Sequence, residues 1–146
     1  MGLVIALNKG RIFKECLPLL AACEIQPSED PDKSRKLIFD SVSGGHKLIV
    51  TRSADVPTYV ENGVADIGIT GKDTILEYGG SMSFYERLDL KIGQCKMMTA
   101  GPVGAPEPEH VLRVASKFVN ITRKYYQTQS RQVALIKLSG AMEIAP

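Results

Sequence analysis

An α/β fold with a mainly parallel sheet is predicted by three features of the sequence. Short apolar runs alternate with helical apolar stripes along most of the chain. Polar turns carrying glycine stand where the runs give way to the stripes. A Gly/Pro-rich loop, Gly101 to Glu109, interrupts this order and separates two parts of opposite charge. The chain of 146 residues has room for two small lobes, divided here into residues 1–98 and 99–146.

The elements follow in order. Leu3 to Leu7 is an apolar run closed by Asn8-Lys9-Gly10, a buried strand and its turn. Ile12 to Cys23 carries apolar residues at 12, 13, 16, 17, 19, 20 and 23, a helical stripe with Pro18 inside it as a potential kink. Cys16 and Cys23 fall on one face of that helix, which predicts core cysteines rather than a redox pair. Lys36 to Phe39 and Lys47 to Thr51 read as paired strands around Ser43-Gly44-Gly45. Ala54 to Asn62 is a helix with Ser53 or Asp55 near its start. Ala65 to Thr70 is a strand, and Gly71 opens a helix to about Glu77. Glu86 to Thr99 reads as a long strand broken at Gly93. Leu112 to Ala115 is a strand, Val119 to Gln127 a helix and Gln132 to Leu138 a strand.

Composition excludes several classes. The hydrophobic set is 44% and charged residues are 23%, ordinary for a soluble globular chain and too apolar for a disordered one. The longest strongly apolar stretch, Cys16 to Cys23, is eight residues, far short of a membrane span. The first nine residues read as a strand rather than a signal peptide. Three cysteines without a CxxC motif predict a reduced, cytoplasmic chain. There is no Gly-x-Ser-x-Gly and no His/Cys ligand cluster, so a serine hydrolase or zinc enzyme is not expected. The two histidines, His46 and His110, read as surface residues, and no metal ligands are assigned.

Charge is uneven. Residues 1–90 hold 10 basic and 13 acidic side chains, whereas residues 91–146 hold 8 and 3. From His110 to Met142 there are six basic residues, Lys117 among them, and no acid. Such a stretch attracts anions, phosphates above all, or is simply a solvated basic face. Nucleic acid is the competing partner, but there is no clustered Lys/Arg run and no nucleic-acid module, so none is expected.

Ligands of open α/β sheets bind at the carboxyl ends of strands, where helix N-termini present free N–H groups. Three junctions here have the residues for that. In Asn8-Lys9-Gly10-Arg11, glycine lets a phosphate approach the backbone and the flanking cations supply charge. Thr51-Arg52-Ser53-Ala54-Asp55-Val56-Pro57 joins an Arg to an Asp that either caps the helix or binds a ligand hydroxyl. Gly68-Ile69-Thr70-Gly71-Lys72-Asp73 looks like a phosphate loop but fails the Walker A pattern, because positions 66 and 73 are both Asp.

These junctions, with Ser34-Arg35-Lys36-Leu37, Gly63 to Asp73 and Leu138-Ser139-Gly140-Ala141-Met142-Glu143-Ile144-Ala145-Pro146, occur in an order that resembles the catalytic subunit of ATP phosphoribosyltransferase. Lys72-Asp73 and Ser34-Arg35-Lys36-Leu37 are more similar to the short form of that family, which lacks a regulatory domain. The resemblance implies a two-lobed fold like the type II periplasmic binding proteins, with the active site between the lobes. It implies transfer of the phosphoribosyl group of phosphoribosyl pyrophosphate to N1 of ATP, the first step of histidine biosynthesis, with Mg2+ carried by substrate phosphates. It also implies a homodimer within a hetero-oligomer containing a regulatory subunit related to histidyl-tRNA synthetase.

Residue by residue, the resemblance assigns Lys9, Gly10, Arg11 and Arg35 to phosphate contacts, with Arg11 and Arg35 neutralising the departing pyrophosphate. Arg52, Asp55, Gly71, Lys72 and Asp73 become nucleotide contacts or organisers of the site, and Lys117 a further substrate contact. Glu143 matches an acid that binds ribose hydroxyls. Plainer roles compete: Arg35 pairing with Asp30 or Asp32, Asp73 as a helix N-terminal charge, Asp66 as a structural group. In the family the motif after Glu143 continues into a loop that grips the sugar 5-phosphate. A chain stopping at Pro146 leaves the second lobe incomplete and one pocket half built, which favours a piece of a longer catalytic chain. The alternatives are a non-enzymatic anion- or nucleotide-binding module of the periplasmic type, or an inactive scaffold.

Overall fold

The computed structural model describes residues 2–80, 83–104 and 111–140. The chain divides into two compact units, Met1–Gln94 and Cys95–Pro146. The first is built on β1 (Val4–Asn8), whose Ile5, Ala6 and Leu7 are buried. A strand covered on both faces needs apolar residues at successive positions, and Val-Ile-Ala-Leu supplies them. Alternation then sorts the side chains. Ile5 and Leu7 join Phe13, Cys16 and Leu20 of α1 (Arg11–Ala22), with Phe39, Leu48 and Val50, in one core. Ala6 joins Val56 and Ala65 in a second core on the opposite face, with Val4, Tyr59 and Val60 packed against it.

Four strands form the sheet in the order β2 (Ile38–Asp40), β3 (Lys47–Thr51), β1, β4 (Ile67–Ile69). β1 pairs in parallel with β3, Asn8 standing beside Thr51, and in parallel with β4, Leu7 beside Ile69. β2 runs antiparallel to β3, Ile38 opposite Ile49. Mixed α/β architecture with mainly parallel pairing is therefore observed, and the strand pair around Gly44 and Gly45 is a hairpin in which both glycines take left-handed φ of 75° and 64°.

Several boundaries differ from expectation. A 3-10 turn, Ser53–Asp55, precedes α2 (Val56–Glu61), so the helix expected from Ala54 begins two residues later, with Pro57 in its first turn. α3 (Lys72–Glu77) follows β4. Residues 86–99 form no strand: Leu90 and Ile92 pack on the first core, but no ladder pairs with this backbone among the described residues. An apolar alternation supplies the face of a strand and not its hydrogen-bonding neighbour. Cys16 is buried as expected, whereas Cys23 is exposed, because α1 ends at Ala22 and Cys23 stands at its C-cap, outside the helical stripe. α1 runs through Pro18 on its exposed side.

The second unit is a β-α-β element: β5 (Leu112–Ser116), α4 (Val119–Thr128) and β6 (Val133–Lys137), with β5 and β6 parallel. Thr122 and Tyr126, four residues apart, form the buried stripe of α4. Thr122 Oγ1 bonds to Ser116 Oγ at 2.9 Å and donates to the carbonyl of Phe118 at 2.6 Å, tying the helix start to the end of β5.

Close packing sets two expectations. A Cβ on Gly68 of β4 would lie 2.8 Å from methyl groups of both Val56 and Val60. Gly68→Ala should therefore push α2 off the sheet and destabilise the first unit by about 1–3 kcal/mol in chemical denaturation. Burial also raises the pKa of the Cys16 thiol. In the native protein Cys23 and Cys95 should react at once with an aromatic disulfide reagent, and Cys16 only after unfolding; three equally fast thiols would contradict the packing of α1.

Candidate active site

Parallel pairing of β3, β1 and β4 brings their carboxyl ends to one edge of the sheet. Each strand feeds a turn and then a helical segment there. From β1, Lys9-Gly10-Arg11 opens α1; from β3, Arg52-Ser53-Ala54-Asp55 opens α2; from β4, Thr70-Gly71-Lys72-Asp73 opens α3. β2 adds a fourth segment. Because it is antiparallel, its start lies beside the end of β3, and the Val50 N–H donates to the Leu37 carbonyl at 2.8 Å, extending the ladder. Register therefore delivers Ser34-Arg35-Lys36 to the same edge as Arg52. Of the expected site residues, Lys9, Gly10, Arg11, Arg35, Arg52, Asp55, Gly71, Lys72 and Asp73 share this edge.

The first turn has the geometry an anion needs. Gly10 stands before α1 with φ 119° and ψ −150°, and a Cβ there would meet nothing within 4 Å. The backbone is open, and only glycine takes that conformation without strain. The 12-residue helix behind it has no side-chain cap and no acid in its first turn, so its leading N–H groups and positive end are uncommitted by side chains. Lys9 lies 3.9 Å from Asp32, which Lys14 holds more closely at 3.5 Å; all three are well exposed, so the Lys9 contact is weak. Near Gly10, Asn8 has a buried Oδ1 without a hydrogen-bond partner among the described residues.

The cations divide into held and free. Arg35 and Arg52 are exposed and make no ion pair among the described residues. The plainer role of Arg35 is not observed: Asp30 pairs with Lys33 at 3.5 Å and Asp32 with the two lysines. Lys36 is bound to Glu29, whose hydrogen bond and charge raise the lysine pKa. Lys72 is held by both carboxylate oxygens of Glu86 and is not free to meet a ligand without breaking that pair.

The acids also differ. Asp55 occupies the N-cap position of α2 yet makes no capping hydrogen bond, which leaves its half-buried carboxylate available. Asp73 serves its helix: Oδ1 accepts the Thr74 N–H at 2.8 Å. Asp66 is structural, its Oδ2 accepting the Val4 N–H at 2.8 Å at the far end of β1. His46 likewise serves the fold through Nδ1, which accepts the Leu3 N–H at 3.1 Å. Thr70 Oγ1 donates to the Ser53 carbonyl at 3.4 Å, joining the second and third turns. Glu15 and Gly93, which bind Arg11, were not singled out by the sequence; only the four-residue spacing of Arg11 and Glu15 signals them.

Lys117 belongs to the second unit, at the β5–α4 junction, with Nζ 5.7 Å from the centre of the Phe118 ring. Glu143 and His110 lie outside the described residues. Among the described residues, no group of three His, Cys, Asp or Glu side chains converges as a metal site.

Gly71 and Asp73 are sterically linked, since a Cβ on Gly71 would stand 2.2 Å from Asp73 Oδ1. Gly71→Ala should displace that carboxylate and cost its bond to Thr74, about 1 kcal/mol, as Asp73→Ala should. In denaturation the double variant should be no less stable than Asp73→Ala alone; additive losses would place the clash elsewhere.

Comparison with known proteins gives the family. The family model described as "HisG: ATP phosphoribosyltransferase" matches residues 52–146. Proteins named ATP phosphoribosyltransferase from Ectopseudomonas mendocina and Pseudomonas aeruginosa are each 59% identical over 144 residues, 99% of this chain and 68% of theirs. The solved "ATP phosphoribosyl transferase (HisG:HisZ) complex" of Thermotoga maritima holds a similar chain, with a TM-score of 0.70 and 28% identity over 98% of this chain and 67% of that one. By the family model and by these relatives, the chain belongs to the ATP phosphoribosyltransferase family.

Proposed function

We propose that this chain serves the reaction of its family: the phosphoribosyl group of phosphoribosyl pyrophosphate passes to N1 of ATP and pyrophosphate leaves, the first step of histidine biosynthesis. The observation that carries this reading is the convergence of four cation-bearing segments, around Arg11, Arg35, Arg52 and Lys72, at one carboxyl edge of a parallel sheet. The reaction brings two polyanions together and separates a third. It needs alignment and positive charge where negative charge grows, and no protein nucleophile. An edge with free guanidinium groups, open backbone N–H groups and no His or Cys base suits that demand.

Roles follow from availability. Gly10 admits a phosphate to the start of α1, with Lys9 beside it. Arg11 and Arg35 neutralise the departing pyrophosphate; a planar fork of N–H donors matches its oxygens better than an ammonium does. Arg52 and Asp55, both free, contact the nucleotide, the carboxylate accepting a hydroxyl or amine proton. Gly71, Lys72 and Asp73 organise the third turn, Lys72 through Glu86 and Asp73 through Thr74. Lys117 and Glu143 act on the phosphoribosyl side. Mg2+ carried by the substrate phosphates would add charge neutralisation to that of the arginines.

This reading includes a two-lobed arrangement of the type II periplasmic-binding kind, lobe I spanning residues 1–98 and lobe II beginning at 99. It also includes a homodimer within a hetero-oligomer whose second subunit is related to histidyl-tRNA synthetase; the HisG:HisZ complex of Thermotoga maritima supports the hetero-oligomer. A cytoplasmic location fits the substrates, and no described helix is long and apolar enough to cross a membrane.

The test is release of pyrophosphate from ATP plus phosphoribosyl pyrophosphate by the enzyme assembled with its regulatory subunit. Arg11→Ala should lower turnover by more than about tenfold. An unchanged rate would remove Arg11 from the chemistry.

A further inference from the structure

Arg11 is gripped from one side by a clamp that includes a residue outside the roles above. Its Nη2 donates to the Gly93 carbonyl at 3.2 Å. Its Nε lies 3.7 Å from Oε1 of Glu15, one turn further along α1. The other oxygen of that carboxylate, Oε2, accepts the N–H of the same Gly93 at 2.7 Å. Arg11 and Glu15 together thus engage both polar groups of residue 93. The backbone is shaped for it: Gly93 has φ +59°, and a Cβ there would stand 3.0 Å from Ile12 Cγ1. Leu90 and Ile92 pack on the first core and bring this segment against α1.

With Nε and Nη2 engaged, Nη1 has no partner among the described residues. We propose that Glu15 is a positioning residue for the pyrophosphate group of the substrate, fixing the guanidinium plane of Arg11 so that Nη1 faces the anion. The proposal rests on the reading of Arg11 given above. Two effects of Glu15 oppose each other. Its negative charge weakens the field at the site, and its contacts remove rotamer freedom that the arginine would otherwise lose on binding. The carboxylate is 41% exposed, so its charge is largely screened. A misplaced catalytic group is the more costly of the two.

The test is calorimetric titration of the full chain with magnesium pyrophosphate at low salt. Glu15→Ala should weaken binding about tenfold, and Glu15→Gln, whose amide oxygen still accepts the Gly93 N–H but whose NH2 cannot accept from Arg11 Nε, should recover only part of it. Added to Arg11→Ala, Glu15→Ala should cost nothing further. Exchange of the Gly93 amide proton, followed by NMR, should quicken in Glu15→Ala and stay slow in Glu15→Gln, which reads the clamp independently of binding. Unchanged or tighter binding by Glu15→Ala overturns the proposal, and so does a loss that adds to that of Arg11→Ala. A wild-type chain that does not bind pyrophosphate, or binding unaffected by Arg11→Ala, overturns the underlying reading of Arg11 and this proposal with it.

Discussion

Parallel pairing of β1 with both β3 and β4 is the constraint on which the rest depends. It requires a strand buried on both faces, which Val4 to Leu7 satisfies by being apolar at each position. Once β1 is central, α1 must cover one face and α2 the other, and the carboxyl ends of three strands must coincide. The turns that leave those ends carry the candidate site. No side chain of the candidate site is needed to build the core, so the fold delivers cations to the edge without the cost of burying them.

At that edge the fold spends some charges on itself and leaves others open. Asp73 satisfies its helix, Lys72 joins Glu86, and Lys36 joins Glu29. Arg35, Arg52 and Asp55 have no such duty among the described residues. The division matters because an exposed ion pair is worth about 0–1 kcal/mol, little enough for a polyphosphate to displace. The pairing of Lys72 with Glu86 is therefore a weak hold on that lysine.

Much of this was legible in the residues alone. The apolar run of β1, the stripe of α1 and the glycine turns each carry a local signal, and the motif order points to the family. What could not be read was which distant segments meet. Residues 86–99 have the alternation of a strand and form none, because a ladder needs a neighbouring backbone that local sequence does not announce. Cys23 has the right spacing for the core, yet the helix stops one residue earlier. The hairpin of β2 and β3 was legible in its Gly44-Gly45 turn, but its consequence for the place of Arg35 was hidden, as was the grip of Glu15 on Gly93 across 78 positions of sequence. In contrast, Asp55 as a cap was the statistically ordinary reading, and its free carboxylate departs from it at the place where the site lies.

The edge position of β2 also bears on how this family can vary. Arg35 owes its place to the register of Ile38–Asp40 on β3, not to its distance along the chain from Arg11. Residues 26–28 are themselves tied to the end of β2, the Ser28 N–H donating to the Asp40 carbonyl and the Val42 N–H to the Gln26 carbonyl, so length variation among homologues should accumulate between 29 and 34. Between 35 and 51 the opposite holds. A one-residue indel in the hairpin would slip the ladder, turn Phe39 from the core to solvent and carry Arg35 out of line. Alignments of distant homologues should accordingly be anchored on the hairpin, with gaps placed before it.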